Sequence, residues 1–135
     1  MRDKFKKQME TCFNFPKVGL VHKQGDYYYF NYNSGLQNQA VLYRVKQKNT
    51  WNIDWEHPFF DAEVFLNPNS LSDEGIASLG TTAWSKDGNS FAYAIKMGGS
   101  DWSTIRVRDA LRKVDLEKDI LKWVKFSSIA WTHDN

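Results

Sequence analysis

The chain has 135 residues, a formal net charge of +2 and an aromatic content of 16%. This length favours one domain, and the near balance of charges gives no reason to expect nucleic acid or an anionic membrane as a partner. The single cysteine, Cys12, cannot pair within the chain, and no apolar run is long enough for a secretion signal or a membrane span. We therefore expect a cytoplasmic protein without membrane contact.

The first segment, residues 2–13, has the period of an amphipathic helix. Its apolar residues recur at helical spacing: Phe5, Met9, Cys12 and Phe13. The helix should end before Pro16, because the residue that precedes a proline avoids the helical conformation. Residues 1–16 are thus expected to form an N-terminal helix and a linker.

From residue 17 onwards the apolar period changes to two, which predicts β-strands. The first set of strands is expected at residues 18–22, 27–32, 40–45 and 62–66. A long polar and aromatic loop, residues 46–61, separates its last two strands, and a connector follows up to residue 79. The second set is expected at residues 81–85, 90–96, 104–108 and 120–125. A charged link, with room for a short helical turn, is predicted at residues 109–119.

A strand–turn–strand pattern at residues 83–93 recurs within the chain. Its first half is repeated at residues 130–135, and residues 21–29 repeat it more loosely. Self-similarity at a spacing of about 40–60 residues, with four strands in each unit, is typical of β-propeller blades, although a sandwich or barrel also has many short strands. We predict an all-β fold, a partial β-propeller of about two four-stranded antiparallel blades preceded by a short N-terminal helix. Its expected parts are residues 1–16 (helix and linker), 17–79 (first blade), 80–126 (second blade) and 127–135 (start of a third blade).

Several motifs, in this order, resemble the first part of the propeller domain of the prolyl oligopeptidase (prolyl endopeptidase) family. They are residues 13–17 (FNFPK), 35–39 (GLQNQ), 64–69 (VFLNPN), 71–75 (LSDEG), 99–102 (GSDW), 124–127 (VKFS) and 130–134 (AWTHD). The resemblance runs nearly from end to end. The loop at residues 46–61 departs from the family pattern by its length.

The resemblance implies a serine peptidase, a hydrolase that cleaves short peptides after proline. In that family an α/β-hydrolase domain carries a Ser-Asp-His triad, and the propeller limits access to it. This chain has no Gly-x-Ser-x-Gly motif, and Ser90 and Ser100, in the nearest strings, are expected to be turn hydroxyls.

We therefore expect a non-catalytic propeller fragment of such an enzyme, with no catalytic residue, cofactor or metal site. Its expected partners are the α/β-hydrolase domain and short proline-containing peptides. The alternative is a stand-alone propeller-like interaction module without peptidase activity.

The candidate site residues are Phe126, Asp101 and Trp102. The resemblance assigns Phe126 to a family phenylalanine that lines an apolar pocket for a substrate residue upstream of the proline. The alternative is a core position between blades. Asp101 and Trp102 follow a glycine pair in a loop and are candidates for contact with the hydrolase domain or a peptide. For Trp102 the alternative is a blade corner beneath the next strand.

Other polar and aromatic residues give weaker indications. Asp54, Glu56 and His57 are close in sequence but are typical of a charged surface loop rather than a cation site. His133 is expected to be an ordinary hairpin residue. Exposed aromatics for nucleic-acid stacking would need a basic patch that this sequence lacks. The remaining aromatics are expected in the core: residues 27–32, Trp84, Phe91, Tyr93, Trp123 and Trp131.

Overall fold

The computed structural model describes residues 1–46 and 61–134. In these two ranges the chain forms one α-helix, nine β-strands and one 3-10 helix. The elements are α1 (Arg2–Phe13), β1 (Lys17–Val18), β2 (His22–Gln24), β3 (Tyr27–Asn33), β4 (Val41–Lys46), β5 (Glu63–Leu66), the 3-10 helix Pro68–Ser70, β6 (Ala77–Trp84), β7 (Ser90–Met97), β8 (Trp102–Asp109) and β9 (Val114–Lys125). The prediction of a β-rich fold after a short N-terminal helix is confirmed, and the helix has the expected bounds. The unusual loop at residues 46–61 lies almost entirely outside the described residues.

The first sheet is antiparallel, with the strand order β1-β3-β4-β5, and β2 pairs with another part of β3. β1 and β2 therefore form one interrupted edge, not the continuous strand predicted at residues 18–22. Between them Leu20 is 92% exposed, while the amide of Gly19 still donates a hydrogen bond to the carbonyl of Asn31 at 2.7 Å. The sheet thus keeps the four rows of strands that the blade pattern predicts.

The second sheet is antiparallel in the order β6-β7-β8-β9. β6 begins at Ala77, which is buried and pairs with Met97, and so it starts earlier than the predicted residue 81. The pairing of β6 with β7 shifts register between Leu79 and Thr82. This bulge interrupts the alternation of side chains, and the sequence pattern therefore revealed only the part of the strand that follows it.

The link between β8 and β9 is shorter than predicted, because β9 already begins at Val114. It does contain one helical turn, in which the amide of Lys113 donates to the carbonyl of Asp109 at 2.9 Å. The carboxylate of Asp109 accepts hydrogen bonds from the amides of Leu111 and Arg112, each at 2.9 Å. Lys113 then adopts a left-handed backbone with φ of 58°. These features close a tight hairpin, and β9 starts directly after Lys113.

The two sheets pack face to face around one cluster of buried side chains. Its members are Tyr29, Leu42, Phe65, Leu66, Ala77, Phe91, Tyr93, Ile95 and Ala110. The ring of Trp84 packs against this cluster, with its centroid 4.4 Å from that of Tyr29 and 4.5 Å from that of Phe91. Because the contacting rings come from both sheets, this aromatic layer fixes the first sheet against the second.

A buried arginine adds a polar link between the sheets. Arg44 of β4 is 3% exposed, and its Nε donates to Oε1 of Glu63 at 2.6 Å. Its terminal nitrogens donate to the main-chain carbonyls of Ala110 and Leu111 in the β8–β9 turn. The ammonium of Lys113 donates to Oε2 of Glu63 at 2.7 Å and lowers the pKa of that carboxyl group. Together these residues form what we call the Arg44 link.

The chain beyond β9 returns to the side of β6. The indole Nε1 of Trp131 donates to the carbonyl of Ala83 at 3.1 Å. Nearby, the ammonium of Lys86 lies 3.4 Å from Nδ1 of His133. Trp131 is thus partly buried, and His133 is an exposed residue at the hairpin between β6 and β7.

Candidate functional site

The candidate residues meet where β8 begins and β9 ends. Trp102 and Lys125 are direct cross-strand partners. The ammonium of Lys125 lies 3.5 Å from Oδ2 of Asp101, 5.4 Å from the ring centroid of Trp102 and 5.0 Å from that of Phe126. The structure therefore brings all the candidate residues together around one lysine. With Trp123, these residues form what we call the Lys125 surface.

The loop that carries Asp101 is fixed by a tight glycine turn. Gly98 and Gly99 have φ of 56° and 75°, a pair of left-handed conformations that suits a two-residue hairpin. The amide of Ser100 donates to the carbonyl of Met97 at 2.9 Å. Its hydroxyl accepts a hydrogen bond from the amide of Trp102 at 3.1 Å. Ser100 is thus a turn hydroxyl, as predicted.

Phe126 and Trp123 point away from the sheet. Phe126 is 82% exposed and Trp123 is 78% exposed. Both have left-handed backbones, with φ of 50° and 60°, which cost about 1–3 kcal/mol each for residues other than glycine. In Trp123 the left-handed backbone coincides with the shift of register between β8 and β9, as in a β-bulge.

Trp123 corrects the prediction of a core position. β9 is the edge strand of the second sheet and buries none of its side chains, and Trp123 lies where its register against β8 shifts. There its ring meets the ring of Trp102 edge to face, with centroids 6.2 Å apart. Trp102 itself is 49% exposed. Nothing in the local sequence signals this edge position, and the contribution of Trp123 to the surface was therefore missed.

A cleft of about 400 Å³ opens between the two sheets, away from the Lys125 surface. It is lined by His22 and Trp84 together with apolar and amide side chains. The ring of His22 stacks on Tyr29, with centroids 5.8 Å apart, and partial burial lowers the pKa of His22. The imidazole is therefore neutral at pH 7.

Nucleophilic catalysis needs a hydroxyl or thiol beside a base. In residues 1–46 and 61–134, no serine hydroxyl forms a hydrogen bond with a histidine ring. The amide of Ser90 instead donates to Oγ of Ser85, which itself donates to the carboxylate of Asp87, within the β6–β7 turn. Ser85 and Ser90 thus belong to the hydrogen-bonded turn between β6 and β7.

Within residues 1–46 and 61–134, no group of three or more His, Cys, Asp or Glu side chains that could hold a metal ion occurs. The sequence cluster of Asp54, Glu56 and His57 lies outside those residues. No helix of the described chain has the length and apolar character needed to cross a membrane.

Comparison with known proteins identifies relatives along the whole chain. Residues 1–135 match the family model described as prolyl oligopeptidase, N-terminal beta-propeller domain. The prolyl endopeptidase of Elizabethkingia meningoseptica is 41% identical over 98% of this chain, and prolyl oligopeptidase A of Galerina marginata is 36% identical over 98%. The chain covers 17% and 19% of these proteins, less than a fifth of their length.

Comparison with solved structures also identifies prolyl oligopeptidases as relatives. Prolyl oligopeptidase B from Galerina marginata, bound to a 35mer hydrolysis and macrocyclization substrate, matches with a TM-score of 0.85 at 33% identity. The match covers 98% of this chain and 20% of that one. A structure from a study of two prolyl endopeptidases matches with a TM-score of 0.73 at 32% identity, over 96% of this chain and 17% of that one.

These matches show to which kind of domain the two sheets belong. Each sheet has four rows of antiparallel strands, the arrangement of a propeller blade. The chain belongs to the prolyl oligopeptidase family, and it is the N-terminal part of that family's β-propeller domain.

Proposed function

We propose that this chain is the substrate-admitting propeller part of a prolyl oligopeptidase-type serine peptidase, and that it contributes contacts but no bond chemistry. The parent reaction is hydrolysis of short peptides on the carboxyl side of proline. The catalytic Ser-Asp-His groups are supplied by an α/β-hydrolase domain, the main partner of this chain. Family membership supports the reaction class, and the Lys125 surface supports the contact role.

The observation that carries this proposal is the exposed ring of Phe126. It is 82% exposed, and it follows β9 within the motif at residues 124–127 that matches the family pattern. A large aromatic ring gains nothing by facing water, so its exposure favours a ligand or a domain that covers it. Trp102 and Trp123 extend the apolar area beside it.

The proposed ligand is a short proline-containing peptide. Phe126 lines an apolar pocket for the residue upstream of the proline, while Asp101 and Trp102 contact the peptide or the hydrolase domain. Proline-rich peptides suit such a surface because they are already extended and lose little entropy when they bind aromatic side chains. The relative prolyl oligopeptidase B was solved with peptide substrates, which supports peptide as the class of ligand.

In this proposal the chain consists of two blades and the beginning of a third. The proposed blades are residues 17–79 and 80–126, and residues 127–135 are the proposed start of the next. The strand β6 already begins at Ala77, three residues before the proposed boundary. The hydrogen bond from Trp131 to Ala83 supports this arrangement. A ring of blades encloses a narrow channel that excludes folded proteins. A cytoplasmic location suits the exposed, unpaired Cys12.

Peptidase assays test this proposal directly. The intact protein and a protein limited to residues 1–135 are each incubated with a fluorogenic Gly-Pro peptide. We expect hydrolysis by the intact protein, abolished by a serine-directed inhibitor, and no turnover by residues 1–135 alone. Turnover by the isolated residues would contradict the non-catalytic role. An inactive intact protein would contradict the peptidase assignment and favour an interaction module.

A further inference from the structure

We infer that Lys125 is a positioning residue, which holds Phe126 and the Asp101–Trp102 loop in one fixed arrangement for peptide binding. This inference rests on the proposed function, since it assigns Lys125 a role in the contact that Phe126 makes with substrate. Lys125 acts through its neighbours and not on the bond that is cleaved.

The contacts of Lys125 join two separate parts of the chain. Its ammonium pairs with the carboxylate of Asp101 at 3.5 Å and lies over the ring of Trp102 at 5.4 Å. On the other side it lies 5.0 Å from the ring centroid of Phe126. An ammonium group attracts both a carboxylate and the electron-rich face of an aromatic ring. One side chain thus connects the loop before β8 with the residue after β9.

Phe126 needs such a support because its surroundings restrain it little. Its ring is 82% exposed, and within the described residues it packs against no other aromatic ring. Its backbone is left-handed, with φ of 50°. The lysine that directly precedes it supplies the contact that limits the orientations of the ring. A ring restrained before the peptide arrives loses less conformational entropy on binding.

Lys125 also balances the charge of the surface. Asp101 would otherwise present an uncompensated carboxylate beside two exposed tryptophans. With the ion pair in place, the surface offers apolar rings around a neutralised centre. Such a surface favours an apolar or proline-containing peptide segment over a strongly charged one.

Loss of the ammonium should weaken peptide binding without changing bond cleavage. In Lys125→Met the methylene stem is largely retained, but the ion pair and both cation–π contacts are lost. We expect KM to rise about three- to tenfold, the range for exposed contacts of this kind. The value of kcat should stay within about twofold, because the reacting groups lie elsewhere.

Kinetics on the intact protein with a fluorogenic peptide that carries a large apolar residue upstream of the proline test this inference. Lys125→Arg keeps the charge and should restore KM to within about twofold of the original value. Lys122→Met is the matched control, because Lys122 is an exposed lysine of the same strand and should leave both constants unchanged. An unchanged KM in Lys125→Met, a failure of Lys125→Arg to restore it, or a fall in kcat alone would overturn the inference.

A second measurement detects the contact between Lys125 and Phe126 and does not depend on peptidase activity. Reductive dimethylation with carbon-13 keeps the lysine charge and gives sharp NMR signals. The Lys125 signal is assigned by its loss in Lys125→Met. It should lie upfield of exposed lysines such as Lys122, as should the signal of Lys17, which lies 4.4 Å from the ring centroid of Phe15. Only the Lys125 signal should move downfield in Phe126→Leu. A Lys125 signal that does not respond to Phe126→Leu would overturn the inference even if the enzyme is active. An inactive enzyme with the expected shift would overturn only the proposed function.

Discussion

Removal of the Arg44 guanidinium gives the sharpest test of how the two sheets are held together. In Arg44→Met the carbonyls of Ala110 and Leu111 lose a charged donor, and each such hydrogen bond contributes about 1.5–3 kcal/mol. Glu63 is 44% exposed and keeps Lys113 as a partner. The loss of its contact with Arg44 therefore adds little to the fall in the free energy of unfolding. We expect the free energy of unfolding to fall by about 3–5 kcal/mol, and Tm by on the order of 10 °C.

Urea unfolding of the protein, followed by tryptophan fluorescence, measures this change. Trp84 packs in the core between the sheets, so its emission reports their separation. The matched control is Arg106→Met, because Arg106 is 40% exposed and lies 3.8 Å from Asp115. The free energy of unfolding of this control variant should fall by less than about 1 kcal/mol. An equal loss in both variants, or a loss below about 1 kcal/mol in Arg44→Met, would refute the assigned role of the Arg44 link.

Two further predictions concern pH and backbone geometry. Lys113 lowers the pKa of Glu63 from 4.5, so the stabilisation from this pair is complete above about pH 5 and is lost as the pH falls through the lowered pKa. The difference in stability between the original protein and Glu63→Gln should therefore shrink below pH 4 in acid titrations; a constant difference would count against the pair. In Gly99→Ala the new side chain has open space but a φ of 75°, and melting should show a loss of about 1 kcal/mol. Gly25→Ala, which also has a left-handed backbone (φ of 56°) and open space, should lose a similar amount, and no loss of stability in either variant would argue against backbone strain.

Local patterns in the sequence were sufficient for much of the fold. The helical period of residues 2–13 predicted α1 with its observed bounds, and alternation at residues 90–96 predicted most of β7. These elements follow from side-chain spacing within one segment, which sequence displays directly. The glycine pair at residues 98–99 likewise predicted a loop, because few other residues adopt left-handed conformations.

Other elements depend on pairing across the sheet. The first half of β9 is rich in charge, at residues 114–119, and resembles a polar link. It is a strand because β8 offers a paired edge, and because Asp109 closes the turn that leads into it. Tertiary pairing overrides local propensity here, which is why the sequence predicted a start at residue 120.

The candidate site was likewise predictable only in part from local patterns. Family motifs identified Phe126, Asp101 and Trp102 as separate candidates, but not their common neighbour. Lys125 and Trp102 meet only through the register of β8 against β9, which no local pattern specifies. The exposure of Trp123 follows from the place of β9 at the edge of the second sheet, which no local pattern specifies either.

The central claim is that this propeller part contributes substrate contact through Phe126. The most direct test compares Phe126→Ala with the original intact protein, using two peptides that carry either glycine or a large apolar residue upstream of the proline. Loss of an aromatic pocket wall should reduce the preference in kcat/KM for the apolar peptide by about tenfold, with cleavage of the glycine peptide little changed. Leu20→Ala, which truncates another exposed apolar residue, should leave the preference unchanged. A preference that survives in Phe126→Ala would contradict the account.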